Sequence, residues 1–139
     1  MSSDSLPLGL RFDRIQRIAA ARWPRVYGEL GIGKPALIVL VTLLREGPLR
    51  QARLSERSGI DRATLVALLN ELEGKRLAAR APDPADRRAH AVSITDAGSA
   101  LLARALELER DDDFFAALTP AELRTLDALL ARLLAAHGE

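Results

Sequence analysis

Residues 83–98 read DPADRRAHAVSITDAG. An Asp-Pro-Ala-Asp turn carries two adjacent arginines, Arg87 and Arg88, and runs into an apolar alternation that stops at Thr95-Asp96, a helix-start signal. Two positive charges on a turn that must be exposed need a reason. Just before them, LAARA at 77–81 has strand character, so the segment from about 77 to 95 predicts a β-hairpin. In its second strand His90, Val92 and Ile94 share one face, and Ala89, Ala91 and Ser93 the other. His90 is therefore read as structural.

Working back from the hairpin, residues 49–77 read LRQARLSERSGIDRATLVALLNELEGKRL. This predicts two helices joined by a tight turn: a first over about Gln51–Ser58 and a second over about Arg62–Lys75. Gly59 suits the positive φ at the end of the first, and Asp61 is placed to cap the second. Leu65, Leu68, Leu69 and Leu72 form the buried stripe of the second helix. The pattern is a helix-turn-helix, and a hairpin directly after it is a wing.

The remaining elements are helical. From Leu10 to about Tyr27, Phe12, Ile15, Ile18 and Ala19 recur at helical spacing among five arginines, and Pro24 is expected to kink or end that helix near Trp23. Pro35 opens an apolar core helix over about 35–46, which Gly47-Pro48 stops. Thr95-Asp96 starts a long helix through Leu101, Leu102, Ala105 and Leu108. Thr119-Pro120-Ala121-Glu122 is a capping box for a last helix carrying Leu123, Leu126, Leu130, Leu133 and Leu134. The fold class is mainly α: six helices with one small hairpin, in the order α-α-α-α-β-β-α-α. Residues 1–9 are expected to be disordered.

Composition bounds the function. The 139 residues contain no cysteine, which excludes disulfides, zinc ribbons and thiol redox sensing. The longest apolar run, PALIVLVTLL, is too short for a membrane span. No basic-then-apolar leader pattern is present, so a cytoplasmic location is the default. The net charge of +1 is unevenly spread: +3 over residues 1–49, +3 over 50–88 and −5 over 89–139. A basic front and an acidic back suit a polyanion-binding surface. No metal-ligand cluster and no His–carboxylate pair beside a nucleophile is legible, so neither an enzyme nor a cofactor is expected. The acidic run ERDDDFF at 109–115 is read as a solvated acidic segment and not a metal site, because consecutive carboxylates on a helix point apart.

The element order and the motif DPADRRAHAVSITDAG resemble the MarR family of transcriptional regulators, from about Arg11 to His137. The resemblance implies a winged helix-turn-helix over residues 34–95 and an intertwined homodimer built from residues 10–30 and 96–137. The leucine-rich surface of those segments, more than a 60-residue winged helix can cover, points the same way. It implies double-stranded DNA as partner, with Arg88, two positions after Asp86, entering a minor groove and Arg87 beside it. Asp86 would fix the loop by pairing with an arginine. Arg62, Thr64, Val66, Ala67 and Asn70 would face the major groove, and Arg50, Gln51 and Arg53 would anchor phosphates. Many relatives also bind a small aromatic or anionic effector, for which Trp23, Tyr27 and Arg25, with Arg22 nearby, are the candidates here.

The chain departs from the family at several positions. Val66 and Ala67 stand where Thr and Arg are usual, Glu71 where a base is common, and Arg76 where a glycine normally follows the helix. Direct base reading is therefore expected to be sparse. The competing reading is a helical dimer on the same fold that binds a ligand or protein instead of DNA.

Overall fold

The computed structural model describes residues 6–139. Of the segment expected to be disordered, residues 1–5 lie outside the described residues, and Leu8 and Gly9 already belong to the first helix. The elements are α1 (Leu8–Tyr27), a 3-10 turn (Gly28–Leu30), α2 (Lys34–Glu46), α3 (Gln51–Ser58), α4 (Arg62–Gly74), β1 (Ala78–Asp83), β2 (Asp86–Ile94), α5 (Asp96–Asp111), a 3-10 turn (Asp113–Phe115) and α6 (Pro120–Ala136). This is the winged helix-turn-helix, six helices and one antiparallel hairpin. The chain forms two compact units divided after Glu109.

In the first unit the apolar positions of the sequence become one core. Val39, Leu40 and Leu43 of α2, Leu54 of α3, Leu65, Leu69 and Leu72 of α4, and Val92 of β2 are almost wholly removed from water. Each such side chain stabilises the fold by roughly 2 kcal/mol through burial. Leu68, expected in the stripe, is half-buried at its edge. α1 runs through Pro24 to Tyr27 rather than ending near Trp23. The proline removes one backbone hydrogen bond in the last turn, and the Gly28 N–H still closes that turn on the Pro24 carbonyl.

The hairpin pairs Ala78 with Ile94 at its base and Asp83 with Asp86 at its tip, with a register irregularity at Pro82/Asp83. Its other edge is occupied by Leu49, which exchanges two backbone hydrogen bonds with Val92, at 3.0 and 2.8 Å. Gly47-Pro48 thus stops α2 and also delivers a one-residue third strand. His90 is exposed, while the adjacent Ala91 and Val92 are both buried. β2 is covered on both faces at its base and on neither at its tip, so the expected alternation fails there.

α5 is locked to the strands by a close approach. The Thr95 hydroxyl donates to the Arg76 carbonyl at 2.7 Å and accepts the Gly98 N–H at 3.1 Å. A Cβ on Gly98 would lie 2.3 Å from the Leu77 carbonyl oxygen, so only glycine fits.

In the second unit, Asp112 leaves the helix and caps the following turn, its carboxylate accepting the Phe114 N–H at 3.1 Å. The acidic run is therefore broken at Asp112 and is not one helical segment. Thr119 caps α6 by accepting the Glu122 N–H at 3.2 Å, with Pro120 in the first turn. No residue of α6 is buried.

Candidate nucleic-acid interface

The turn between α3 and α4 is built locally. Gly59, at φ 71°, closes α3 by donating to the Ser55 carbonyl, and the Ser55 hydroxyl donates to the Ile60 carbonyl at 2.5 Å. One oxygen of Asp61 accepts the Thr64 N–H at 2.9 Å and the other the Thr64 hydroxyl at 2.6 Å. The Thr64 hydroxyl, then its N–H, hold the Asp61 carboxyl below the ordinary carboxylate range. Because Leu65, Leu69 and Leu72 face the core, Arg62, Thr64, Val66, Ala67 and Asn70 are left exposed. Thr64, its proton used on Asp61, presents a methyl and an acceptor. The guanidinium of Arg62 has no partner among the described residues.

The end of α4 sets where the wing begins. The Leu77 N–H bonds the Leu72 carbonyl and the Arg76 N–H the Glu73 carbonyl, with Arg76 in the left-handed region at φ 59°. This is the Schellman arrangement whose turning residue is ordinarily glycine. Arg80 of β1 pairs with Glu73 of α4 at 3.0 Å, tying the hairpin to the helix.

At the wing tip Arg87 and Arg88 are exposed, and neither guanidinium has a partner among the described residues. Asp86, expected to pair with an arginine, accepts the Arg88 N–H on its carboxylate at 3.0 Å. Its nearest arginine is Arg50, at 3.8 Å. Two of the expected phosphate anchors make ion pairs within the chain. Arg50 donates through Nε to Asp83 at 2.6 Å, Arg53 pairs with Glu56 at 2.9 Å, and Gln51 is half-buried. The hydrogen bond from Arg50, followed by that from the Ala85 N–H, holds the Asp83 carboxyl below the usual range.

Asp83, which holds this turn to the start of α3, is the residue here that the sequence did not single out. Its signal was the Asp-Pro-Ala step, which suits an aspartate bonding the N–H two residues on, here Ala85 at 2.9 Å.

Away from this surface, Trp23 and Tyr27 sit one turn apart on α1, half-buried, with ring centroids 4.4 Å apart and planes tilted by 39°. Arg22 is half-buried and Arg25 exposed. Among the described residues no group of three His, Asp or Glu side chains could hold a metal, and no single helix is long and apolar enough to cross a membrane.

Comparison with known proteins places this geometry. The sequence model of the MarR family matches residues 30–89. A protein of Thauera aromatica assigned to transcriptional regulation of the hcr operon is 33% identical over 129 residues, 91% of this chain and 78% of its own. Among solved structures, the transcriptional repressor CouR, bound to a 23-mer DNA duplex, is 29% identical, with a TM-score of 0.73 over 96% of this chain and 93% of its own. BpsR of Bordetella bronchiseptica, whose DNA binding is regulated by 6-hydroxynicotinic acid, is 25% identical, with a TM-score of 0.69 and 96% of each chain covered. These relatives carry the names of regulators, not of enzymes.

Proposed function

The chain belongs to the MarR family of transcriptional regulators, and from that premise we propose that it is a DNA-binding repressor acting as a homodimer. The observation that carries the reading is the pair of unpartnered guanidiniums, Arg87 and Arg88, at the tip of a wing tied to α4. An unpaired arginine on a protruding turn suits a narrow minor groove, where the phosphate potential is concentrated. The exposed face of α4 enters the adjacent major groove, Arg62 reaching a phosphate. The methyls of Thr64 and Val66 suit thymine, and Asn70 suits adenine. With Ala67 offering no polar group, more of the specificity comes from DNA shape.

Residues 10–30 and 96–137 join two copies, so that two wings and two recognition helices meet a pseudo-palindromic site. Promoter occlusion gives repression, and a cytoplasmic location follows. Release is by a small aromatic or anionic effector, with Trp23, Tyr27 and Arg25 as its contacts. The aromatic acid that regulates BpsR supports that class of ligand.

The test is selection of bound duplexes from a random-sequence pool, followed by affinity measurements across salt concentrations. Arg88→Ala removes one contact from each of the two wings, so it should weaken binding about tenfold and flatten the log K against log[salt] slope by about 1.8. Recovery of no duplex defeats the reading. It would favour the second reading, a ligand- or protein-binding dimer, which the apolar pair Val66 and Ala67 on the exposed face supports. In that case Arg87 and Arg88 can be replaced while a partner still co-purifies.

A further inference from the structure

Arg50 occupies a position where it is chemically unexpected. It is the N-cap of α3, a place favoured by Ser, Thr, Asp or Asn, and it makes no capping hydrogen bond. Its backbone is extended, at φ −65° and ψ 150°, and continues the antiparallel bridge that Leu49 makes with Val92. The chain at this point therefore runs alongside β2 toward the wing tip. The side chain spans 33 residues of sequence to reach the tip's two aspartates, donating from Nε to Asp83 at 2.6 Å and standing 3.8 Å from Asp86.

Those aspartates are the groups that shape the turn. Asp83 accepts the Ala85 N–H on the oxygen not used by Arg50, and Asp86 accepts the Arg88 N–H. The Asp83 side chain is only 15% exposed, so this contact is more enclosed than an ordinary surface pair.

We propose that Arg50 is the positioning residue of the wing: it clamps the 83–88 turn to the start of α3 and so fixes the reach of Arg87 and Arg88 relative to the recognition helix. The clamp replaces the phosphate contact expected of Arg50. Its consequence for binding rests on the DNA-binding reading above. The clamp itself does not.

The two roles predict opposite signs at Asp83. If Arg50 grips a phosphate, neutralising Asp83 frees that grip and removes a negative charge near a polyanion, so Asp83→Asn tightens binding. If Arg50 is a clamp, Asp83→Asn weakens binding despite the charge gained.

The experiment uses the full chain as wild type, Arg50→Ala, Asp83→Asn and the double variant, with circular dichroism to confirm folding. Limited trypsin digestion reads the wing without DNA, because the tip offers cleavage after Arg87 and Arg88. A duplex selected by the wild-type protein from a random pool then reads affinity and salt slope. Each single variant should speed tip cleavage and lower affinity about three- to fivefold, the range open to a partly exposed ion pair. The double variant should be no worse than either single one, and the salt slope should stay unchanged.

A slope reduced by about 1.8 in Arg50→Ala, one phosphate from each protomer, with tighter binding in Asp83→Asn, makes Arg50 a phosphate ligand and overturns the proposal. Unchanged tip cleavage in both single variants overturns it as well. If the pool yields no duplex, the repressor reading fails, and the cleavage arm alone decides the clamp.

Discussion

α2 and α4 bury their apolar stripes, and α1 and α6 bury none. Val39, Leu40, Leu65, Leu69 and Leu72 are fully buried, whereas Phe12, Ile15 and Ile18 of α1 and Leu129, Leu133 and Leu134 of α6 stand open to water. Helix propensity does not separate them, since Ala and Leu together make up a quarter or more of each. What differs is where the complementary surface comes from. α2, α3, α4 and the hairpin lie within about sixty residues and cover one another. Even helices as long as α1 and α6 take most of their stability in a protein from packing an amphipathic face. The winged module, closed by Leu101 and Leu102 at the start of α5, thus builds its core within the chain, while α1 and α6 are patterned for assembly, which suits the proposed homodimer.

The sharpest way to break this contrast is to truncate one leucine of each kind. Leu40→Ala should cost about 3 kcal/mol in urea denaturation, independent of protein concentration. Leu133→Ala should leave the isolated chain's stability nearly unchanged and instead shift sedimentation toward the single chain. An equal, concentration-independent cost at both positions would mean that α6 is packed within its own chain, and the contrast would be lost.

A second pair of substitutions sharpens the comparison through glycine. Gly98→Ala drives a Cβ into the Leu77 carbonyl and the Ile94 side chain, and should cost about 2 kcal/mol. Gly9→Ala on α1 meets nothing within 4 Å and should be neutral or stabilise by a few tenths of a kcal/mol, which thermal unfolding would register. The same change of residue separates a locked junction from an open helix.

How much of this was legible in the sequence follows the range of each interaction. Gly59, Asp61, Thr119 and Pro120 mark helix ends through contacts with residues two to four positions away, and the structure places the ends there. The stripe Leu65, Leu69 and Leu72 is likewise local periodicity. The engagement of Arg50 was not legible, because its partners lie 33 and 36 positions on and are brought near only by the Leu49–Val92 bridge. That bridge is a single residue long and leaves no alternation to detect. Pro24 lies in the last turn of α1, where the local rule about helix breaking costs one hydrogen bond and the helix still reaches Tyr27. The exposed candidates Arg62, Val66, Ala67 and Asn70 followed from the stripe alone, since whatever faces away from the buried leucines faces water.

An effect smaller than that at Gly98 is expected at the joint between the recognition helix and the wing. Arg76 is the one non-glycine residue with positive φ among those described, at 59°, and its exposed guanidinium has no partner there. Holding an L-residue in the left-handed region costs roughly 1 kcal/mol, and replacement by glycine removes that cost. Glycine also adds freedom to the unfolded chain, returning about half of the gain. The two hydrogen bonds of the turn come from backbone groups and survive the change. Arg76→Gly should therefore stabilise the winged module by about 0.5 kcal/mol and raise the Tm by about 2 °C. Arg76→Ala provides the control, since it deletes the same guanidinium but keeps the strained backbone. It should leave the Tm near the wild-type value. If the two variants unfold together, the side chain and not the backbone sets the stability of this joint.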